Sequence, residues 1–170
     1  MLKGQDIVVL LTVAGRPGWT IAAVAEGLGL STSAVHRSVE RAIDAHLMTA
    51  PGRDVNANAL EELLVHASRY LFPARLAGPS RGVPTAWSAP PLSMRLARVD
   101  EDPLVWPDPA GSGRGIALEP IHPSVPFATR GDAALHERLA LVDALRAGGA
   151  RVRREAAEAL HEHLAVPAAP

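Results

Sequence analysis

The distribution of proline decides what this chain can fold into. Eleven of its 15 prolines lie between residues 73 and 126, with five of its 14 glycines. Each proline fixes φ and removes a backbone donor, so no long helix fits there. The chain therefore divides into an N-terminal part (1–72), a proline-rich extended segment (73–131) and a C-terminal part (132–166). The expected class is mainly α. The middle segment is too apolar for a disordered linker. Trp87, Leu92, Leu104, Trp106, Ile116, Leu118 and Val125 suit an ordered stretch wrapping over helices. One β-hairpin is expected in it, Leu104-Val105-Trp106 against Ile116-Ala117-Leu118, turning through Asp108 to Gly113.

The N-terminal part reads as helices at close spacing. A first helix over about Lys3 to Ala14 is apolar nearly all round, as a central core helix is. Arg16-Pro17-Gly18 breaks it. Trp19 plugs the core, and Thr20 is the expected N-cap of a second helix. Small residues from Ala25 permit a close crossing, and Gly29 suits a turn that needs positive φ. Ser31 caps a third helix, on which Val35, Val39, Ala42, Ile43 and Leu47 form one apolar stripe. Thr32, Ser33, His36, Arg37, Glu40 and Arg41 lie off that stripe, where donors and acceptors can read base edges in the major groove. Pro51-Gly52 then turns a short hairpin or loop with Arg53 at its tip. Asn56 or Asn58 caps a further helix to Leu71, with Leu60, Leu63, Leu64, Ala67 and Leu71 inward.

The stretch WTIAAVAEGLGLSTSAVHRSVERAIDAHLM resembles the helix-turn-helix of winged-helix bacterial transcription regulators, the MarR-like group in particular. The resemblance covers about residues 3–56. It implies a winged helix-turn-helix N-terminal domain whose 31–46 helix enters the major groove of double-stranded DNA, and a homodimer. It places the reading role on Thr32, Ser33, His36, Arg37 and Arg41, and a regulator built this way would set Arg41, Arg53, Arg16 and Lys3 at or near phosphate.

The C-terminal part is expected to be a helical hairpin. Asp132 caps a helix with Leu135, Leu139, Val142 and Leu145 in a stripe, and Gly148-Gly149 ends it. Arg151 to Leu164 follows, with Val152, Ala156, Ala159, Leu160 and Leu164 inward. Stripes this short require a partner surface, in the same chain or in a second copy. The tail 166–170 is expected to fray.

Charge weighs against tight binding to nucleic acid by a single copy. The net charge is −1, and residues 1–55 hold five basic and five acidic side chains. Phosphate contacts supply much of the affinity for DNA, so a symmetric dimer, which doubles them, fits better. With no cysteine, thiolate chemistry and Cys-based zinc sites are excluded. The apolar run Ile7–Ala14 is too short to span a bilayer and lacks the flanks of a secretion signal. A cytoplasmic location is expected, with no membrane contact.

No metal site, cofactor or catalytic residue is expected. His161 and His163 are two apart on a helix and point to different sides. Gly78-Pro79-Ser80-Arg81-Gly82 and Gly111-Ser112-Gly113-Arg114-Gly115 each set an arginine among glycines, a composition that can meet an anion. Neither has the Gly-Lys-Ser/Thr ending of a Walker loop. Trp87, Trp106 and Arg114 could stack on single-stranded nucleic acid, but a core role for both tryptophans is the expectation. The leading function is a sequence-specific DNA-binding transcriptional regulator. One alternative is an antitoxin-like or adaptor protein whose residues 73–170 bind a partner protein. Another is a ligand-responsive repressor with its pocket between the winged helix and the extended segment. A small enzyme ranks last.

Overall fold

A computed structural model describes residues 1–51 and 53–165. The expectations for Gly52 and for the tail 166–170 lie outside the described residues. The chain is mainly α-helical: α1 (Gly4–Val13), α2 (Ile21–Leu28), α3 (Thr32–Asp44), α4 (Ala57–Leu71), α5 (Leu92–Arg95), α6 (Val125–Ala128), α7 (Ala133–Ala147) and α8 (Ala150–Ala165). Three strands complete it: β1 (Leu76–Thr85), β2 (Leu104–Pro107) and β3 (Gly113–Leu118).

The helix ends follow from the residues placed there. The Thr20, Ser31, Asn56 and Asp132 side chains each accept from a backbone N–H three residues on, satisfying donors that a helix start leaves open. Gly29 ends α2 at φ 63°, the left-handed conformation that glycine adopts without strain. After α3 the chain makes one antiparallel bridge, Met48 to Val55, in place of a two-stranded hairpin.

α1 is central, with every residue from Asp6 to Val13 buried. α7 is central too. Its buried set includes Leu135, Leu139, Leu141, Val142 and Leu145 but also Arg138, Asp143 and Arg146, so it is no one-sided amphipathic helix. It packs against α1, α4, α8 and β1, and α8 runs beside it. The stripes that required a partner surface find it within the same chain. One cluster of buried apolar side chains runs through all three sequence segments, from Ile7 through Trp106 to Leu164. On α4 the inward residues are Leu60, Leu64 and Ser68, whereas Leu71 at its end is exposed.

The expected hairpin is corrected. β2 and β3 exist where their residues suggested, but they run parallel, with Leu104 opposite Ile116 and Val105 opposite Ala117. Each pairs antiparallel with β1: Gly82–Thr85 with β2, and Leu76–Gly82 with β3. The three strands close on one another. β1 escapes sequence reading because Pro79 and Pro84 demote the run as a strand. Glycine makes the closure possible: a Cβ on Gly82 would stand 2.0 Å from the Trp106 carbonyl oxygen.

Trp87 and Trp106 are core residues. The Trp106 indole N–H donates to the buried Asp143 carboxylate at 2.6 Å, which also accepts from Thr85 at 2.8 Å and from Arg146 at 2.6 Å. Burial pushes the Asp143 carboxyl up, while these three donors pull it back. Arg146 donates on to the Phe72 carbonyl at 2.7 Å, so one network ties α4, α7 and the strands together.

Candidate nucleic-acid interface

α2 and α3 form one unit because three contacts fix it. The Gly29 turn lets the chain reverse, and the Leu30 N–H returns to the Ala25 carbonyl at 2.8 Å. Ser31 starts α3. Gln5 on α1 donates to the Ala34 carbonyl at 3.1 Å and to the Ser38 hydroxyl at 2.8 Å, seating α3 on the core helix. Val35, Ser38, Val39 and Ala42 are buried, so the opposite face of α3 turns outward.

That outward face carries Ser33, His36, Arg37, Glu40 and Asp44, all exposed, with Thr32 at the helix start. Of the expected reading residues, Thr32, Ser33, His36 and Arg37 therefore share one accessible surface. Ser33 lies 3.1 Å from the Ser31 hydroxyl. His36 and Glu40 approach within 3.5 Å one turn apart. Arg37 enters no ion pair among the described residues.

The remaining expected residues stand differently. Arg41 faces inward, donating to both oxygens of Asp6 at 2.8 and 2.6 Å. Asp6 is fully buried. It also accepts the Lys3 backbone N–H at 2.8 Å. The hydrogen bond to Asp6 raises the Arg41 pKa beyond its ordinary value. Arg41 thus neutralises a buried carboxylate and stands apart from the exposed residues of α3. Arg16 is paired with Asp132, the N-cap of α7, at 2.5 Å. Arg53 lies 5.6 Å above the Trp19 ring, and Trp19 is half-buried against the core rather than sealed in it. Asp6 and Gln5 were missed as positioning residues. An acid opening an otherwise apolar helical run was the available signal, since a buried carboxylate requires a cation.

Below the unit, α2 borders a groove of about 590 Å³. Val13, Trp19, Val24, Leu28, Phe127 and Leu135 supply its apolar walls, and Glu26, Arg16, Asp132 and Arg130 its charged lining. Phe127 is 53% exposed there. Arg130 is held by Asp108 at 2.9 Å, and that guanidinium lowers the Asp108 pKa. The groove lies between the helix-turn-helix residues and the end of the proline-rich segment.

Histidines elsewhere are separated. His161 meets Glu61 at 2.9 Å, and His163 lies 3.5 Å from Glu137. His66 on α4 is exposed. Among the described residues no group of three His, Asp or Glu is arranged to hold a metal ion. No described helix is long and apolar enough to cross a membrane. Comparison of the chain with protein-family models, with curated proteins and with solved structures found no match.

Proposed function

We propose that the chain is a sequence-specific DNA-binding transcriptional regulator, working as a homodimer with α3 in the major groove. In this reading residues 1–72 are a winged helix-turn-helix of MarR-like kind, and the Met48–Val55 bridge is its reduced wing. One observation carries the reading: Thr32, Ser33, His36 and Arg37 stand together on the outward face of a helix whose other face is locked to the core. Hydroxyls, an imidazole and a guanidinium are groups that pair with base edges. Glu40 and Asp44 share that face, so the surface is poor in positive charge and specificity has to outweigh non-specific attraction. Two copies would double the contacts. The dimer now rests on this charge argument and on the resemblance, because the α7 and α8 stripes are covered internally.

The test is a comparison of wild type and Arg37→Ala on DNA from upstream of the chain's own gene. Arg37→Ala should lose roughly 1–3 kcal/mol of discrimination if its guanidinium is bidentate to guanine. Unchanged affinity and unchanged sequence preference would remove Arg37 from the reading set.

The groove beside α2 favours a second reading, a repressor that responds to a small molecule. A ligand there would touch α2 and the N-terminus of α7 at once. Thermal-shift screening of apolar metabolites against wild type and Phe127→Ala tests it. A stabilising compound that ignores the Phe127 change would place its site elsewhere.

A further inference from the structure

The two glycine-flanked arginines, remote in sequence, meet in the fold. Arg81 on β1 and Arg114 on β3 are direct partners in the antiparallel register, between Ser80↔Gly115 and Gly82↔Gly113. Residues directly opposite in such a pair project from the same face, with Cβ atoms about 4.5–5.5 Å apart. Both arginines are exposed. Like charges so placed repel, and a sheet gains nothing from them.

Among the described residues neither guanidinium is answered by a carboxylate. Arg16, Arg41, Arg75, Arg95, Arg130 and Arg146 each pair with an acid. Arg81 instead donates to the Gly111 carbonyl at 3.3 Å. Arg114 has neither a hydrogen bond nor an ion pair from its side chain among the described residues. Asp102 borders it across a hollow of about 320 Å³ without pairing with it.

The glycines explain why the two strands can place this pair together. A Cβ on Gly111 would come within 2.1 Å of the Gly82 carbonyl carbon, and one on Gly115 within 2.3 Å of the Pro103 carbonyl oxygen. The glycines therefore serve strand closure, and Gly82, Gly113 and Gly115 pair within the sheet. The register that they permit sets Arg81 and Arg114 directly opposite each other on one face of the sheet.

We propose that Arg81 and Arg114 form a binding site for a phosphate group. A guanidinium offers two parallel N–H donors to oxyanions of this kind, and two adjacent guanidinium groups match a doubly charged anion better than a single charge. The anion would also cancel the cross-strand repulsion. The site does not depend on α3 reading DNA.

The probe is inorganic phosphate, and the readout is the thermal unfolding midpoint of the full chain. Wild type, Arg81→Gln and Arg114→Gln are compared with and without phosphate against chloride. Phosphate also stabilises proteins by exclusion from their surface, but that part is common to all three. The expected result is a larger upward shift in wild type than in either variant. Without phosphate, Arg114→Gln should melt no lower than wild type, because it has lost a like charge and no hydrogen bond. An equal shift in all three proteins, zero included, overturns the proposal.

Short duplex DNA in place of phosphate separates the sources. A duplex-induced shift lost in Arg81→Gln but kept in Arg37→Ala assigns the group to a nucleic-acid backbone. A phosphate effect that duplex DNA does not reproduce assigns it to a free phosphate or phosphorylated small molecule. In either case the readout at Arg81 and Arg114 stays separate from that at Arg37.

Discussion

Two arginines four residues apart on α3 have opposite fates, and burial separates them. Arg37 faces outward. Arg41 is held on the fully buried Asp6 carboxylate. Arg41→Ala should therefore destabilise the fold by roughly 3–5 kcal/mol, since it strands a buried charge. Arg37→Ala should stay within about 0.5 kcal/mol of wild type. Urea denaturation of both variants checks this, and equal stabilities would contradict the inward placement of Arg41. His122 supplies the pH dependence. Its Nδ1 accepts the Ser124 backbone N–H at 3.2 Å, which requires an unprotonated nitrogen. Burial holds its pKa below the ordinary 6.5. The neutral ring's contribution is complete above that value and is lost as pH falls through the folded one. Thermal midpoints should thus drop on acidification below about 6.5. His122→Asn should flatten part of that fall, with His163, lowered by burial in the same sense, carrying more of it. An unchanged slope in His122→Asn would show that the ring does not titrate with folding.

At the scale of elements, Gly29 is where the helix-turn-helix is most exposed to a single change. An alanine there would hold a left-handed φ, at roughly 1–2 kcal/mol, and its Cβ would press within 3.1 Å of the Phe127 ring. Gly29→Ala should lower the melting temperature, and an unchanged one would mean that the turn relaxes freely. The helices were legible because their signals are local: Thr20, Ser31 and Asp132 cap within three residues, and apolar spacing marks the stripes. The strand pairing was not legible. β1 carries two prolines, and its partners lie some 20 to 40 residues away, so no turn chemistry sets the register. Proximity in sequence instead favoured joining β2 to β3 as a hairpin. At the candidate interface, the exposed residues of α3 followed from periodicity. The loss of Arg41 and Arg16 to Asp6 and Asp132 did not, because ion-pair partners 35 and 116 residues apart leave no mark in local spacing.

Taken as a whole, the molecule has one core rather than three. α1 from the N-terminal part lies against α7 from the C-terminal part, and Arg138 of α7 donates to the Leu11 and Ala14 carbonyls at the end of α1. Trp87 and Trp106 bury the middle segment in the same cluster. Unfolding should accordingly be a single transition, with tryptophan fluorescence and far-ultraviolet circular dichroism coinciding. Two separated transitions would mean that the segments fold independently. A core shared in this way also places the groove beside α2 in contact with α6 and α7, so occupancy of one part can be felt in the other. The central claim is that this molecule reads DNA through α3. Its most direct test is fluorescence anisotropy of the purified chain on DNA from upstream of its own gene, at two salt concentrations, with unrelated competitor DNA. Saturable binding is expected that survives competitor, is weakened by Arg37→Ala, and has a shallow salt slope of about 0.9 per phosphate contacted. Binding that is absent, or lost equally to any DNA, would contradict it.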